Sequence, residues 1–274
     1  MIRSYKMIID FHTHCFPDAL APRALEALKH NAEQTQMQAC TNGTASDTER
    51  NLRENGIDLG VVCNIATNVR QQTKVNDFAI SLLHSNKKLS PLGSIHPDST
   101  NKYEEMKRLH DNGIKGVKVH PDYVSIEITA PGYSEIFSIC EQLGLFVITH
   151  AGWDPVSPDH IHASPEGILQ VINNHPNLKL VAAHMGGYAY SKDVIDNLVG
   201  RDIYFDTSLS SYRSDERDTL LTILKEHRPD RLLFATDTPW SLTQRELEFI
   251  YSANLSEELT EKILFHNAKN LLNM

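Results

Sequence analysis

Eight short apolar runs with helical patterns between them constrain this chain more than any other feature. They are MIIDF at 7–11, LGVVCNI at 59–65, LSPLGSI at 89–95, KGVKV at 115–119, LFVIT at 145–149, LKLVAA at 178–183, DIYFDT at 202–207 and RLLFAT at 231–236. Each is short, and several are rich in β-branched residues. Near-continuous hydrophobicity of this kind suits parallel strands covered on both faces. Between them, Val75, Phe78, Ala79, Leu82 and Leu83 follow the spacing of one helix face. Tyr103, Met106 and Leu109 form a second stripe stopped by Gly113, and Ile136, Phe137, Cys140 and Leu143 a third stopped by Gly144. Glycine just past a helix end is the expected stop. Further helices are expected near 165–174, 190–199, 215–226, 241–253 and 256–272.

Strand–helix alternation repeated eight times leaves two architectures, a (β/α)8 TIM barrel or an open doubly wound sheet. No GxGxxG follows the first run, which removes the main support for a dinucleotide fold. The 274 residues suit a single barrel domain, 1–274, since such barrels run about 200–250 residues or more. Residues 16–46 make a longer first connection, expected to be a partly ordered insertion over the barrel mouth.

The formal net charge of −9, with no basic patch, disfavours nucleic acid or an anionic membrane as partner. No stretch approaches the roughly 18 apolar residues that span a bilayer. The N-terminus, MIRSYKMIIDFHTH, has too short and too polar an apolar run for a signal peptide. Cys15, Cys40, Cys63 and Cys140 form no CxxC pair and read as reduced thiols of a cytoplasmic protein. A small-molecule substrate is the expected partner, and a homo-oligomer stays open.

The fourteen histidines matter for where they fall. The first run ends in Asp10-Phe11-His12-Thr13-His14, and residues two apart on a strand share a face. His120 follows the fourth run, His150 ends the fifth, His184 ends the sixth and Asp237 ends the eighth. Each sits where an apolar strand gives way to a loop containing Gly or Pro. In a barrel, C-terminal strand ends converge on one mouth, where such enzymes carry their active sites. The fold and the cluster therefore support each other.

A His-rich site completed by one carboxylate suits Zn2+, with Mn2+, Fe2+ and Co2+ as alternatives; Mg2+ and Ca2+ prefer more oxygen ligands. Such an ion lowers the pKa of its bound water toward about 7. Asp237 is expected both to touch the ion and to accept that water's proton. His184 either meets a second ion or orients substrate.

These residues, and the wording IIDFHTHCFP, GVKVHP, THAG, HMGG and FATDTPW, resemble the amidohydrolase superfamily of metal-dependent barrel hydrolases. They are similar to the branch that also contains aminocarboxymuconate-semialdehyde decarboxylase and related non-oxidative decarboxylases. The resemblance runs from residue 7 to about 272. It implies that His12, His14, His150 and Asp237 bind the principal ion. It makes His184 the sixth-strand histidine, which binds a second ion in binuclear members and acts catalytically in mononuclear ones. It also raises Lys118 as the lysine that, carboxylated on its amine, bridges two ions in binuclear members. Otherwise Lys118 binds a substrate anion or sits in a buried ion pair, and one ion or two stays open.

Other residues carry both a functional and a plain reading. His120 faces the mouth or caps a turn before Pro121; His96, before Pro97, has the same choice. Trp153, Tyr188 and Trp240 wall an apolar pocket or pack loops. Arg70 and Arg213 fork onto a substrate carboxylate or are ordinary arginines. Asp10 is expected to orient a ligating imidazole. His160 and His162 form a second HxH in a polar loop, with weak surface binding at most. His30, His84, His110, His175, His227 and His266 fall in helices or their flanks.

The function expected is metal-dependent hydrolysis, in which a metal-activated water attacks a small-molecule carbonyl of amide, ester or lactone type. Asp237 and His184 are the catalytic pair, and Lys118, His120, Trp153, Arg70, Arg213 and Trp240 the substrate contacts. The alternative is a metal-dependent decarboxylase, a lyase acting on a small carboxylic acid.

Overall fold

The computed structural model describes residues 7–31 and 37–274. Nine strand segments form: β1 (Ile9–Thr13), β2 (Leu59–Val62), β3 (Leu89–Pro91), β4 (Gly93–Ser94), β5 (Gly116–Val119), β6 (Phe146–Thr149), β7 (Leu180–Ala182), β8 (Tyr204–Asp206) and β9 (Leu232–Leu233). β3 and β4 are one expected strand interrupted at Leu92, so eight staves remain. All pairings are parallel, β1-β2-β3 in one ladder and β4 to β9 in sequence in another. Two seams join the ladders. At the first, Leu92 N donates to Val62 O at 2.9 Å. At the second, Phe11 N donates to Phe234 O at 2.8 Å and His14 N to Thr238 O at 2.6 Å.

Twelve α-helices accompany the strands among the described residues: α1 (Ala21–Asn31), α2 (Ala45–Glu54), α3 (Val69–Ser85), α4 (Lys102–Asp111), α5 (Pro121–Val124), α6 (Pro131–Leu143), α7 (Pro165–Asn174), α8 (Ser191–Asn197), α9 (Arg217–Glu226), α10 (Thr243–Ser252), α11 (Glu257–Glu261) and α12 (Asn267–Leu272). Local chemistry fixes several ends. Ser164 accepts from Gly167 N and Pro165 opens α7, while Gly144 stops α6 at φ 70°. The expected helix over 256–272 is instead α11 and α12 joined through a π-helical turn at Lys262–His266.

The long first connection, 16–46, is partly helical: it contains α1, and α2 begins at its end. Cys40 reaches the loop after β9, its N donating to Pro239 O at 2.8 Å and its thiol facing Ser241 O at 3.4 Å. Residues 32–36 of the expected insertion lie outside the described residues. All four cysteines are free. No helix among the described residues is long and apolar enough to cross a membrane.

Strand parity sorts the core into two layers. Ile9, Phe11, Val61, Cys63, Phe146, Ile148, Val181 and Leu233 pack together with α12 residues Ala268, Leu271 and Leu272. Val117, Val119, Val147, Leu180 and Ala182 point the other way, into the larger cluster shared with the helices. Lys118 alternates with Val117 and Val119, so its side chain projects to the face opposite the helices.

Candidate metal centre and active site

The strand-end residues meet, and the strands explain how. The β1–β2 ladder slips register between Asp10 and Thr13. Such irregularities re-aim side chains, and here both His12 and His14 reach the carboxylate of Asp237. His14 Nε2 lies 2.9 Å from Asp237 Oδ1, and His12 Nε2 lies 3.3 Å from the same oxygen. One ligand atom from each of His12, His14 and Asp237 lies within 4.8 Å of the others. His14 Nδ1 is turned to Cys63 O at 2.9 Å, which directs Nε2 inward.

His184 continues the cluster. Its ring stacks 5.5 Å from that of His12, and its Nε2 is 3.2 Å from His150 Nδ1. His150 in turn stacks 4.4 Å from His120, and one ligand atom each from His120, His150 and Asp154 again falls within 4.8 Å. His150 thus touches His184, His120 and Asp154 rather than the first triad. The His120 ring makes no helix-capping hydrogen bond; it faces the mouth, stacked on Tyr123 at 3.8 Å. Lys118 Nζ lies 3.2 Å from His12 Nε2, fully buried.

Several expected roles are redistributed. Asp10 does not orient an imidazole: it accepts from Thr236 N, Thr236 Oγ1 and the His12 backbone N–H. The imidazole partner is Asp206, whose Oδ2 is 2.8 Å from His12 Nδ1. Asp206 Oδ1 accepts from His184 N at 3.0 Å and from Ser208, whose hydroxyl is 2.8 Å from His184 Nδ1. One buried carboxylate therefore seats both histidines. Asp206 ends the seventh apolar run, so the strand-end rule that found the others points to it too. Asp154, Ser208 and Tyr123 lie in loops or a short helix, where no periodicity marks them.

Arg213 is engaged by the protein. Its guanidinium donates to His184 O at 2.9 Å, Gly187 O at 3.1 Å and Glu216 at 2.8 Å, supporting the His184 turn from behind. Arg70 is exposed in the first turn of α3. Tyr188 meets His184 edge-on at 6.1 Å and Trp153 at 6.2 Å, while the Trp153 indole donates to Pro158 O. Trp240 is half-buried and its N donates to Asp237 O, turning the chain after the carboxylate. His96 has its Nδ1 bound by Asp98 N, a loop role.

Backbone strain falls at two of these residues. His184 has φ 57° and Asp237 φ 68°, a region that costs side-chain-bearing residues roughly 1–3 kcal/mol and clusters at functional sites. Hydrogen bonds hold both, Asp237 N to His12 O at 2.8 Å and His184 N to Asp206.

Electrostatics suits a cation. Burial pushes the imidazoles of His12, His120 and His184 well below the ordinary range, helped for each by neighbouring basic groups, which favours free ring nitrogens able to meet a cation. Burial would raise Asp237, but the pull of His12, a hydrogen bond from His14 and Lys118 hold its carboxyl below the usual value. Nδ1 of His120 and Nε2 of His150 are buried without a hydrogen-bond partner. Buried polar atoms left in this way cost stability unless something meets them. The donor set and these two nitrogens fit a divalent metal ion.

The family model described as amidohydrolase matches residues 91–274. The chain belongs to the amidohydrolase family. The matched span carries His150, His184 and Asp237 of this amidohydrolase, while His12 and His14 precede it. Solved structures share the barrel along nearly the whole length. An uncharacterised TIM-barrel protein from Bordetella bronchiseptica is 20% identical, covering 97% of this chain and 98% of its own, with TM-score 0.76. A dihydroxybenzoic acid decarboxylase from Polaromonas sp. JS666, with bound manganese and an inhibitor, is 15% identical over 98% and 97%, with TM-score 0.70. A Pseudomonas putida protein proposed to be a 2-pyrone-4,6-dicarboxylic acid hydrolase is 17% identical over 98% of each chain, with TM-score 0.67. No curated protein matches the chain. At these identities the structural likeness establishes the (β/α)8 fold, and its neighbours include proteins named for hydrolysis and for decarboxylation alike.

Proposed function

We propose that this amidohydrolase hydrolyses a small molecule at a carbonyl carbon of amide, ester or lactone type, with residues 1–274 acting as one cytoplasmic domain. His12, His14 and Asp237 would hold the principal ion, and His150 and His184 border it; zinc is the ion that best suits this donor set. Bound there, the ion supplies a Lewis acid for the carbonyl oxygen and a more acidic water. Asp237, kept ionised by His12 and His14, takes the water's proton and returns it to the leaving group. His184, fixed by Ser208 at one nitrogen and near His150 at the other, orients the substrate. Tyr188 and Trp153 wall the pocket.

The observation that carries this reading is the engagement of Arg213. Decarboxylation needs a cation to seat the departing carboxylate and an acid for the carbon left behind. With Arg213 bound to two carbonyls and Glu216, and Arg70 exposed, Lys118 is the buried cationic side chain at the cluster among the described residues. Lys118 beside His12, together with His184, supports non-oxidative decarboxylation as the second reading. We propose that Lys118 stays a free amine and that the strand-end cluster holds one principal ion. On that reading Lys118→Ala lowers activity and short-chain carboxylic acids do not restore it; restoration would identify a lysine carbamate.

Labelled water decides the chemistry. Metal-loaded protein is incubated in 18O-water with a panel of small lactones, esters, amides and hydroxybenzoates. Solvent oxygen in the organic product is expected. Release of CO2 with no 18O in the organic product would instead establish decarboxylation.

A further inference from the structure

A second group of ligand-type residues shares no member with the strand-end cluster. It lies where the loop between β6 and α7 meets the segment between α5 and α6. One ligand atom each from Glu127, His160 and His162 lies within 4.8 Å of the others. His160 Nε2 contacts the Glu127 carboxylate, and the two imidazoles sit edge to face at 4.5 Å. His162 is set in place from behind: Asp122 Oδ1 takes its Nδ1 at 3.0 Å, leaving Nε2 as the remaining coordinating nitrogen. A buried carboxylate that fixes one ring nitrogen is the arrangement that orients metal-binding histidines elsewhere. The other oxygen of Asp122, Oδ2, is buried with no hydrogen-bond partner. An exposed His–Glu pair stabilises a fold only weakly, and it makes no use of His162 or of its hold by Asp122.

We propose that Glu127, His160 and His162 form a second, peripheral site for a divalent transition metal. Two imidazoles and one carboxylate suit Zn2+ and its neighbours in the first row. The ion would clamp the β6–α7 loop, which carries Trp153 and Asp154, onto the 125–128 segment. One backbone hydrogen bond, Ile128 N to His162 O at 2.9 Å, already joins the two.

The test compares four proteins dialysed against a modest excess of Zn2+: wild type, His160→Ala, Glu127→Gln and the His12→Ala, His14→Ala double variant. Bound zinc per chain is measured by plasma emission, and hydrogen exchange is followed across residues 154–163. His160 and Glu127 are exposed, so their replacement leaves the fold intact, and circular dichroism checks this. His160→Ala is expected to carry one ion fewer than wild type, Glu127→Gln to lose that ion at lower chelator concentration, and the double variant to keep it. Zinc should slow exchange in the loop of wild type and not of His160→Ala. Equal zinc in wild type and His160→Ala overturns the proposal, as does a double variant with no zinc at all. Loop exchange indifferent to zinc overturns the clamp.

Discussion

At the scale of single residues, Asp206 connects the most functions. It takes the imidazole of His12, the backbone of His184 and both donors of Ser208, all inside the core. It touches neither Asp237 nor His14, so its removal should loosen the ligands without deleting one. Asp206→Asn is expected to weaken metal affinity about 10–100-fold, the usual effect of losing a carboxylate behind a ligating histidine. Chelator titration checks this, and unchanged affinity would contradict the arrangement. Residues at the ion should behave differently: His12→Ala, which removes a proposed ligand, or His150→Ala, which removes an imidazole bordering the ion, lowers metal content and activity together. His175→Ala leaves metal content near wild type. It lowers only the melting temperature, because His175 is a core residue bonded to Ser134 and packed on Phe137. Full metal occupancy in the His12→Ala, His14→Ala double variant at the mouth would sink the ligand assignment. Most of this cluster is legible in the sequence because a strand end is a place that hydrophobic runs reveal. What the sequence hides is direction. Nothing in IIDFHTH says that Asp10 turns to Thr236 while Asp206, almost two hundred positions away, takes His12. Nothing in SYRSDE says that Arg213 folds back onto His184 and Gly187, since backbone carbonyls leave no mark on composition.

At the scale of elements, the loops after β6 and β7 act as a pair. Trp153 N donates to Tyr188 O and Tyr188 N to Ala151 O, both at 2.9 Å, which sets Tyr188 against His184. Gly152 makes the approach feasible: its φ is 87°, and an added Cβ would lie 2.2 Å from Tyr188 N and 2.4 Å from Tyr188 O. Backbone cannot yield as a side-chain tip can. Gly152→Ala is therefore expected to cost at least about 1–3 kcal/mol and to lower activity with it by displacing Tyr188 and Trp153. Denaturant unfolding and a steady-state assay check this, and wild-type stability would show that the loops are free to separate. The elements were more legible than their joints. Apolar stripes and stop glycines located α3, α4 and α6, and 165–174 coincides with α7. The break at Leu92 and the π turn at Lys262–His266 escape a pattern read at periods of 2 and 3.6, because each is a local change of hydrogen-bond partner.

At the scale of the whole molecule, two buried groups outside the metal cluster tilt stability with pH in opposite directions. His227 is neutral in the fold, with Nδ1 accepting from Gly200 N and Nε2 bound to Ile203 O; burial lowers its pKa from 6.5 to about 4. Its stabilising contribution is complete above 6.5 and disappears as pH falls through about 4, because the unfolded chain then binds the proton more readily. Glu246 lies under Ser211 and Ser241, and burial raises its pKa from 4.5 to about 7. Its contribution is complete below 4.5 and disappears as pH rises through about 7. Each shift corresponds to something on the order of 3 kcal/mol, so between pH 4.5 and 6.5 the two slopes largely cancel. Removing one exposes the other. Relative to wild type, Glu246→Gln should gain stability progressively from pH 4.5 to 7, by up to about 3 kcal/mol, since the variant lacks a carboxyl that must ionise under cover. His227→Gln should move the opposite way, becoming less destabilised relative to wild type as pH falls from 6.5 toward 4. Urea unfolding at closely spaced pH values measures both difference curves, in which the titrations at the metal cluster drop out because wild type and variant share them. Parallel stability curves for wild type and Glu246→Gln would mean that this carboxyl is ionised in the fold at pH 5, and that its three hydrogen bonds from Ser211 and Ser241 outweigh its burial.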